Sequence, residues 1–169
     1  MSPFTSARPE DQLFDAARRG DVPALRELLA TGLDVNTANP KGFTALVLAA
    51  YDDHRAAAEY LLGAGADPNI QDVTGNSALM GVAFKGYPEI ARLLLAHGAD
   101  LNLQNGNGGT ALMFATLFGR NDLVQLLAEA GADQSIKDQR GLTALHLAGQ
   151  QGKETTLALL GGGPAGQGA

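Results

Sequence analysis

Gly75-Asn76-Ser77-Ala78-Leu79, followed by Leu93-Leu94-Leu95 and then Gly98-Ala99-Asp100, is the stretch from which the fold can be read. Its frame recurs in both directions. Gly42-Phe43-Thr44-Ala45-Leu46 lies 33 residues before it, and Gly108-Gly109-Thr110-Ala111-Leu112 lies 33 after it. Gly141-Leu142-Thr143-Ala144-Leu145 follows at the same step of 33. A second landmark keeps that period: Gly32-Leu33-Asp34, Gly65-Ala66-Asp67, Gly98-Ala99-Asp100 and Gly131-Ala132-Asp133. Two independent landmarks on one period predict a solenoid, in which each unit buries its apolar face only by stacking on its neighbours.

Composition agrees with that architecture. Of the 169 residues, 45% are hydrophobic but only 5% aromatic, and there is no Trp. The core must therefore be built from Leu and Ala, which suits thin helices packed closely. A net charge of -6 argues against a general nucleic-acid binder, which needs a basic face. With no Cys there is neither a disulfide framework nor thiolate chemistry. No apolar run approaches the roughly 20 residues of a membrane span. The first residues, Met1 to Pro9, lack the basic-then-apolar order of a signal peptide, so a cytoplasmic protein is expected.

The frame divides the chain into a flexible lead over 1–8, a solenoid over 9–160 and a Gly-rich tail over 161–169, expected to be disordered. The units run near 9–41, 42–74, 75–107, 108–140 and 141–160. Each reads as two helices. The first begins at Thr44, Ser77, Thr110 or Thr143, whose hydroxyl can cap free N–H groups. It ends near Gly20, Gly86, Gly119 or Gly152. The second carries Leu28-Leu29, Leu61-Leu62, Leu93-Leu94-Leu95 or Leu126-Leu127 and stops at the Gly of the Gly-Ala-Asp landmark. Asp, Asn and Gly fill the links, as turn chemistry requires. The end units differ. Asp15 stands where Leu48, Gly81, Phe114 and Leu147 stand later, as expected with no unit in front of it. Asp11 is read as the N-cap of the first helix, and Thr156 and Gly161 as polar or small replacements in a last helix with no neighbour beyond it.

On these residues the chain resembles the ankyrin repeat family. The matching motif is Gly-x-Thr-Ala-Leu, two small residues, a turn Gly, a Leu-rich helix and Gly-Ala-Asp-x-Asn, over roughly residues 9 to 160. The resemblance implies an all-α repeat solenoid of stacked antiparallel helix pairs, with β-hairpin-like loops projecting from one edge. It also implies binding of other proteins through loop tips and the concave face of the first helices. Three departures stand out. The family's Pro after Thr is Ala here (Ala45, Ala78, Ala111, Ala144). Its His after Leu survives only as His146, with Val47, Met80 and Met113 elsewhere. The turn Gly of the second unit is Asp53, at a position that calls for positive φ.

Aligned unit by unit, the last turn of the first helix carries Arg18, Tyr51, Phe84, Leu117 and Gln150. The next position carries Arg19, Asp52, Lys85, Phe118 and Gln151. In the family's geometry these columns face the concave surface. The three inner units thus present a Tyr51, Phe84, Leu117 and Phe118 stripe between polar ends, with Phe43 extending it from a loop. Clustered exposed aromatics flanked by Arg suit an interface core. The loop tips, represented by Lys41, Val73, Asn107 and Arg140, form a weaker candidate surface. Most tip residues are explained by turn geometry, whereas Lys41 and Arg140 have no backbone reason to be charged.

Chemistry is not suggested. His54, His97 and His146 lie in three units at three frame positions. Asp52-Asp53-His54 lacks a second ligand cluster, and Gly106-Asn107-Gly108-Gly109 lacks the Lys and Ser/Thr of a phosphate loop. No catalytic residue, metal or cofactor is expected. The reading is a non-catalytic protein-interaction module, monomeric on its own, which occupies, masks or bridges a folded partner. An inhibitor, an immunity-type protein or an accessory factor for an enzyme all fit. The alternatives are a self-associating structural protein using the same stripe, and an enzyme or metal protein.

Overall fold

The computed structural model describes residues 8–161. Of the lead over 1–8 and the tail over 161–169, residues 1–7 and 162–169 lie outside the described residues. Ten α-helices follow one another in pairs. The first helices of the pairs are α1 (Pro9–Arg19), α3 (Ala45–Tyr51), α5 (Ala78–Lys85), α7 (Ala111–Leu117) and α9 (Ala144–Gln150). The second helices are α2 (Val22–Ala30), α4 (Arg55–Gly63), α6 (Pro88–Ala96), α8 (Asn121–Glu129) and α10 (Glu154–Leu159). Each helix packs on its partner within the pair and on its counterpart in the next pair, as the 33-residue period requires.

Four of the first helices start alike. The hydroxyl of Thr44, Ser77, Thr110 or Thr143 accepts the N–H three residues on, each at 3.3 Å. At Thr143 the reciprocal bond is present too, its N–H reaching His146 Nδ1 at 3.1 Å. In unit three the Met80 thioether stands in, 3.5 Å from the Ser77 N–H. Loss of the family's His therefore leaves the caps in place. Two expectations fail at the ends. Asp11 does not cap α1, because the helix begins at Pro9, with Arg8 at its N-cap, and Asp11 sits inside the first turn. Thr156 is not a concession to solvent. It is buried, and its hydroxyl donates to Asn121 Oδ1 at 2.8 Å, back toward the preceding unit.

Side-chain size sets the shape. Where first helices meet, they present Ala45, Ala49 and Ala50, then Ala78 and Ala83, then Ala111 and Ala115, all buried. The second helices carry Leu25, Leu61, Leu94 and Leu127, each fully enclosed. The first-helix row is accordingly the more closely packed. In the geometry that the resemblance implies, that row lines the concave side.

The loops form their own ladder. In each tip Asn39, Asp72, Asn105 or Asp138 accepts two backbone N–H groups on Oδ1, two and four residues on, at 2.8–3.1 Å. Neighbouring tips then join by backbone bonds: Val73 N–H to Lys41 C=O at 3.1 Å, Gly106 to Thr74 at 2.9 Å and Gln139 to Asn107 at 3.0 Å. At the base, Asn36, Asn69 and Asn102 accept the N–H of Asp67, Asp100 and Asp133 at 2.7–2.8 Å. This close approach explains Gly75: its φ is +84°, and a Cβ there would lie 2.8 Å from the Gly106 nitrogen.

Candidate functional site

The predicted stripe assembles into a ladder of rings along the first-helix row. Tyr51 and Phe84 are 6.3 Å apart between centroids and nearly parallel, at 6°. Phe84 meets Phe118 edge-on at 4.6 Å and 84°. Phe118 in turn lies 6.4 Å from Phe114, at 11°. Such offset and edge-to-face pairs are the favoured geometries and hold the rings in register. Lys85 arches back, its Nζ 4.9 Å above the Tyr51 ring. The ladder keeps much of its surface in solvent, with Tyr51 41% and Phe118 46% exposed. Phe84 and Leu117 are half-buried.

Two hollows open along the ladder. The larger, about 490 Å³, gathers Phe43, Tyr51, Asp52 and Phe84 with Val47, Met80 and Phe114. The smaller, about 360 Å³, gathers Asn107, Leu117, Phe118 and Arg140 with Met113 and Leu147. Phe114 belongs to both and was missed from sequence. It lies in the column of Leu48, Gly81 and Leu147, one turn back from the stripe, where the alternation of large side chain and glycine is the signal.

The remaining predicted residues stand apart. Arg18 and Arg19 are exposed at one end of the row, Arg18 pairing with Asp15 at 3.2 Å. Gln150 and Gln151 are exposed at the other end. At the loop tips, the backbone carbonyls of Lys41 and Asn107 serve the inter-unit ladder. Val73 is 73% exposed. Arg140 does have a local reason for its charge, because its guanidinium meets Asp138 at 2.8 and 3.1 Å. Although partial burial pushes the Asp138 carboxyl upward, bonds from the Arg140 side chain and from the backbone of Leu142 and Arg140 hold it below the ordinary carboxylate range.

The histidines are occupied structurally. His54 Nε2 is 2.7 Å from the Arg18 carbonyl at the end of α1. Two cations in the same frame position act likewise one and two units beyond Tyr87. Arg120 Nε donates to the Phe84 carbonyl at 3.1 Å, and Lys153 Nζ donates to Thr116 and Leu117 at 2.9 Å. Each tends the C-terminus of the preceding first helix, where carbonyls are unpaired and the dipole favours positive charge. Among the described residues no three His, Cys, Asp or Glu side chains gather as a metal site. No helix there is long and apolar enough to cross a membrane.

Comparison with known sequences fits this geometry. Residues 7–72 and 79–165 match the family description of ankyrin repeats in three copies. The protein PA3287 of Pseudomonas aeruginosa, whose name carries the ankyrin repeat, is 49% identical over 43 residues. That match spans 25% of this chain and 25% of the relative's own length. Ankyrin repeats are in general modules of protein–protein interaction. With the family matched over nearly all of the solenoid, and with paired helices, capping hydroxyls and laddered loops in their places, the chain belongs to the ankyrin repeat family.

Proposed function

We propose that this protein binds a folded partner protein along the concave face of its first helices. Tyr51, Phe84, Leu117 and Phe118 are the anchors, and Arg18, Arg19 and Lys85 supply complementary charge. Asp52, Gln150 and Gln151 complete the rim, and the loop tips at Lys41, Val73, Asn107 and Arg140 add peripheral contacts. The observation that carries the reading is the solvent-facing ring ladder. Apart from Val73 on a loop tip and Leu145 in the last unit, the described large apolar side chains are enclosed or partly so, yet Tyr51 and Phe118 are nearly half exposed, either side of Phe84. Rigid aromatic anchors beside shallow apolar hollows are where interface energy concentrates. The protein acts without catalysis or a cofactor, by occupying or masking its partner, as an inhibitor, an immunity-type protein or an accessory factor of an enzyme would.

The test is capture from native lysate with mass spectrometry, comparing the wild type with Tyr51, Phe84 and Phe118 all changed to Ser. Circular dichroism checks the fold of the variant. The reading expects a specific protein to be captured by the wild type and lost with the variant. Equal capture by both would remove the ladder from the interface. Light scattering on the purified protein addresses self-association: a monomer across a wide concentration range is expected.

A further inference from the structure

One column of the frame is broken at the centre of the concave face. Leu48, Phe114 and Leu147 fill it in units two, four and five, but unit three has Gly81. Leu48 and Leu147 are buried there, at 8% and 2% exposure. At Gly81 only the edge of the Tyr51 ring approaches, its Cδ2 3.3 Å from where a Cβ would stand. Gly81 lines the hollow of about 490 Å³, whose walls include Phe43, Val47, Tyr51, Met80, Phe84 and Phe114. Both charged residues on its lining, Asp52 and Asp72, are acidic. Asp72 uses Oδ1 to hold its turn. The Asp52 carboxylate is exposed and, among the described residues, neither bonded nor paired. Lys85 lies outside the lining, over the Tyr51 ring.

We propose that the Gly81 notch is the specificity pocket of the interface, and that it takes a leucine-sized apolar side chain flanked by Arg or Lys on the partner. The chain itself shows which side chains suit this column between stacked units, since units two, four and five hold Leu or Phe there and only the outermost unit has Asp15. The partner supplies what unit three omits, and its neighbouring cation meets Asp52 and the free side of Asp72. An apolar floor with a like-charged rim selects for this pairing and against an acidic neighbour. The inference rests on the concave-face reading and narrows it to one position.

The experiment titrates isotope-labelled protein with N-acetyl-leucyl-arginine amide and, separately, N-acetyl-leucyl-glutamate amide at millimolar concentrations, following amide shifts by NMR. Saturable shifts centred on Met80, Gly81 and Asp52 are expected, with the arginine peptide bound about two- to fivefold more tightly, as an exposed ion pair allows. Gly81→Leu should remove binding of both peptides. Asp52→Asn, a surface change that leaves packing alone, should weaken only the arginine peptide. Four results of the titration overturn the proposal: no saturable shifts at the notch, equal affinity for the two peptides, unchanged binding to Gly81→Leu, or notch shifts that follow protein concentration without peptide, which would make the occupant a second copy. If Gly81→Leu still captures the partner that the triple Ser variant loses, the pocket falls and the concave-face reading stands.

Discussion

Asp53 occupies a turn where the equivalent residues Gly20, Gly86, Gly119 and Gly152 all have positive φ, and its own φ is 60°. It is the only non-glycine residue so placed among those described. A β-branched side chain cannot take this conformation without strain, so Asp53→Val should cost about 1–2 kcal/mol, whereas Asp53→Gly should not lose stability. Urea unfolding of the two variants checks this. Asp138 gives a second residue-scale prediction. Its carboxyl is held below the ordinary range, so it contributes stability that is present above the unfolded-state value of about 4 and fades as pH falls through the lower folded value. Asn39 and Asn105 fill the same slot with the same pair of backbone bonds and no charge. Asp138→Asn should therefore keep the turn at neutral pH and flatten the acid limb of stability. An unaltered acid limb in pH-dependent unfolding would show that the charge plays no part.

At the scale of the element, position in the stack decides what the same residue contributes. Leu46, Leu79 and Leu112 share a column and are 1–2% exposed, because each is covered by the unit that follows. Leu145, last in that column, is 37% exposed. Leu112→Ala should cost on the order of 2–5 kcal/mol and Leu145→Ala about 1 kcal/mol or less, as calorimetric unfolding will report. The helix ends carry a smaller effect. Removing the cation at the end of α5 with Arg120→Ala should cost roughly 0.3–1 kcal/mol, and less at high salt.

These elements also show what the sequence makes legible. Helix pairs, capping hydroxyls and turn glycines follow from local rules repeated at one period, so they can be read directly. Asp15 could be recognised as an outer-face residue because its column is apolar in the neighbouring units. Thr156 misled for the same reason: polarity alone does not say whether a hydroxyl faces water or, as here, Asn121. The reach of Arg120 and Lys153 to carbonyls some three dozen residues away depends on the stacking distance between units, which no local pattern encodes. The ring contacts are likewise tertiary. The Tyr51, Phe84, Leu117 column with Phe118 beside it is visible in the alignment of units, but the inclusion of Phe114 and the hollow at Gly81 emerge only once the units are stacked.

The whole molecule is a one-dimensional stack, so stability should be close to a sum over units and junctions, while recognition is concentrated on one face. Shared residues build the scaffold, and those that depart from the repeat give each unit its own surface. The most direct test of that division is the dissociation constant of the captured partner for two triple variants. One replaces Tyr51, Phe84 and Phe118 by Ser on the concave face. The other replaces Arg55, Glu89 and Arg92 by Ala on the second-helix row. Loss of affinity by about 100-fold or more is expected for the first, as for several interface anchors removed together, with less than about threefold change for the second. Comparable losses from both, or retained affinity in the first, would contradict binding on the concave ladder.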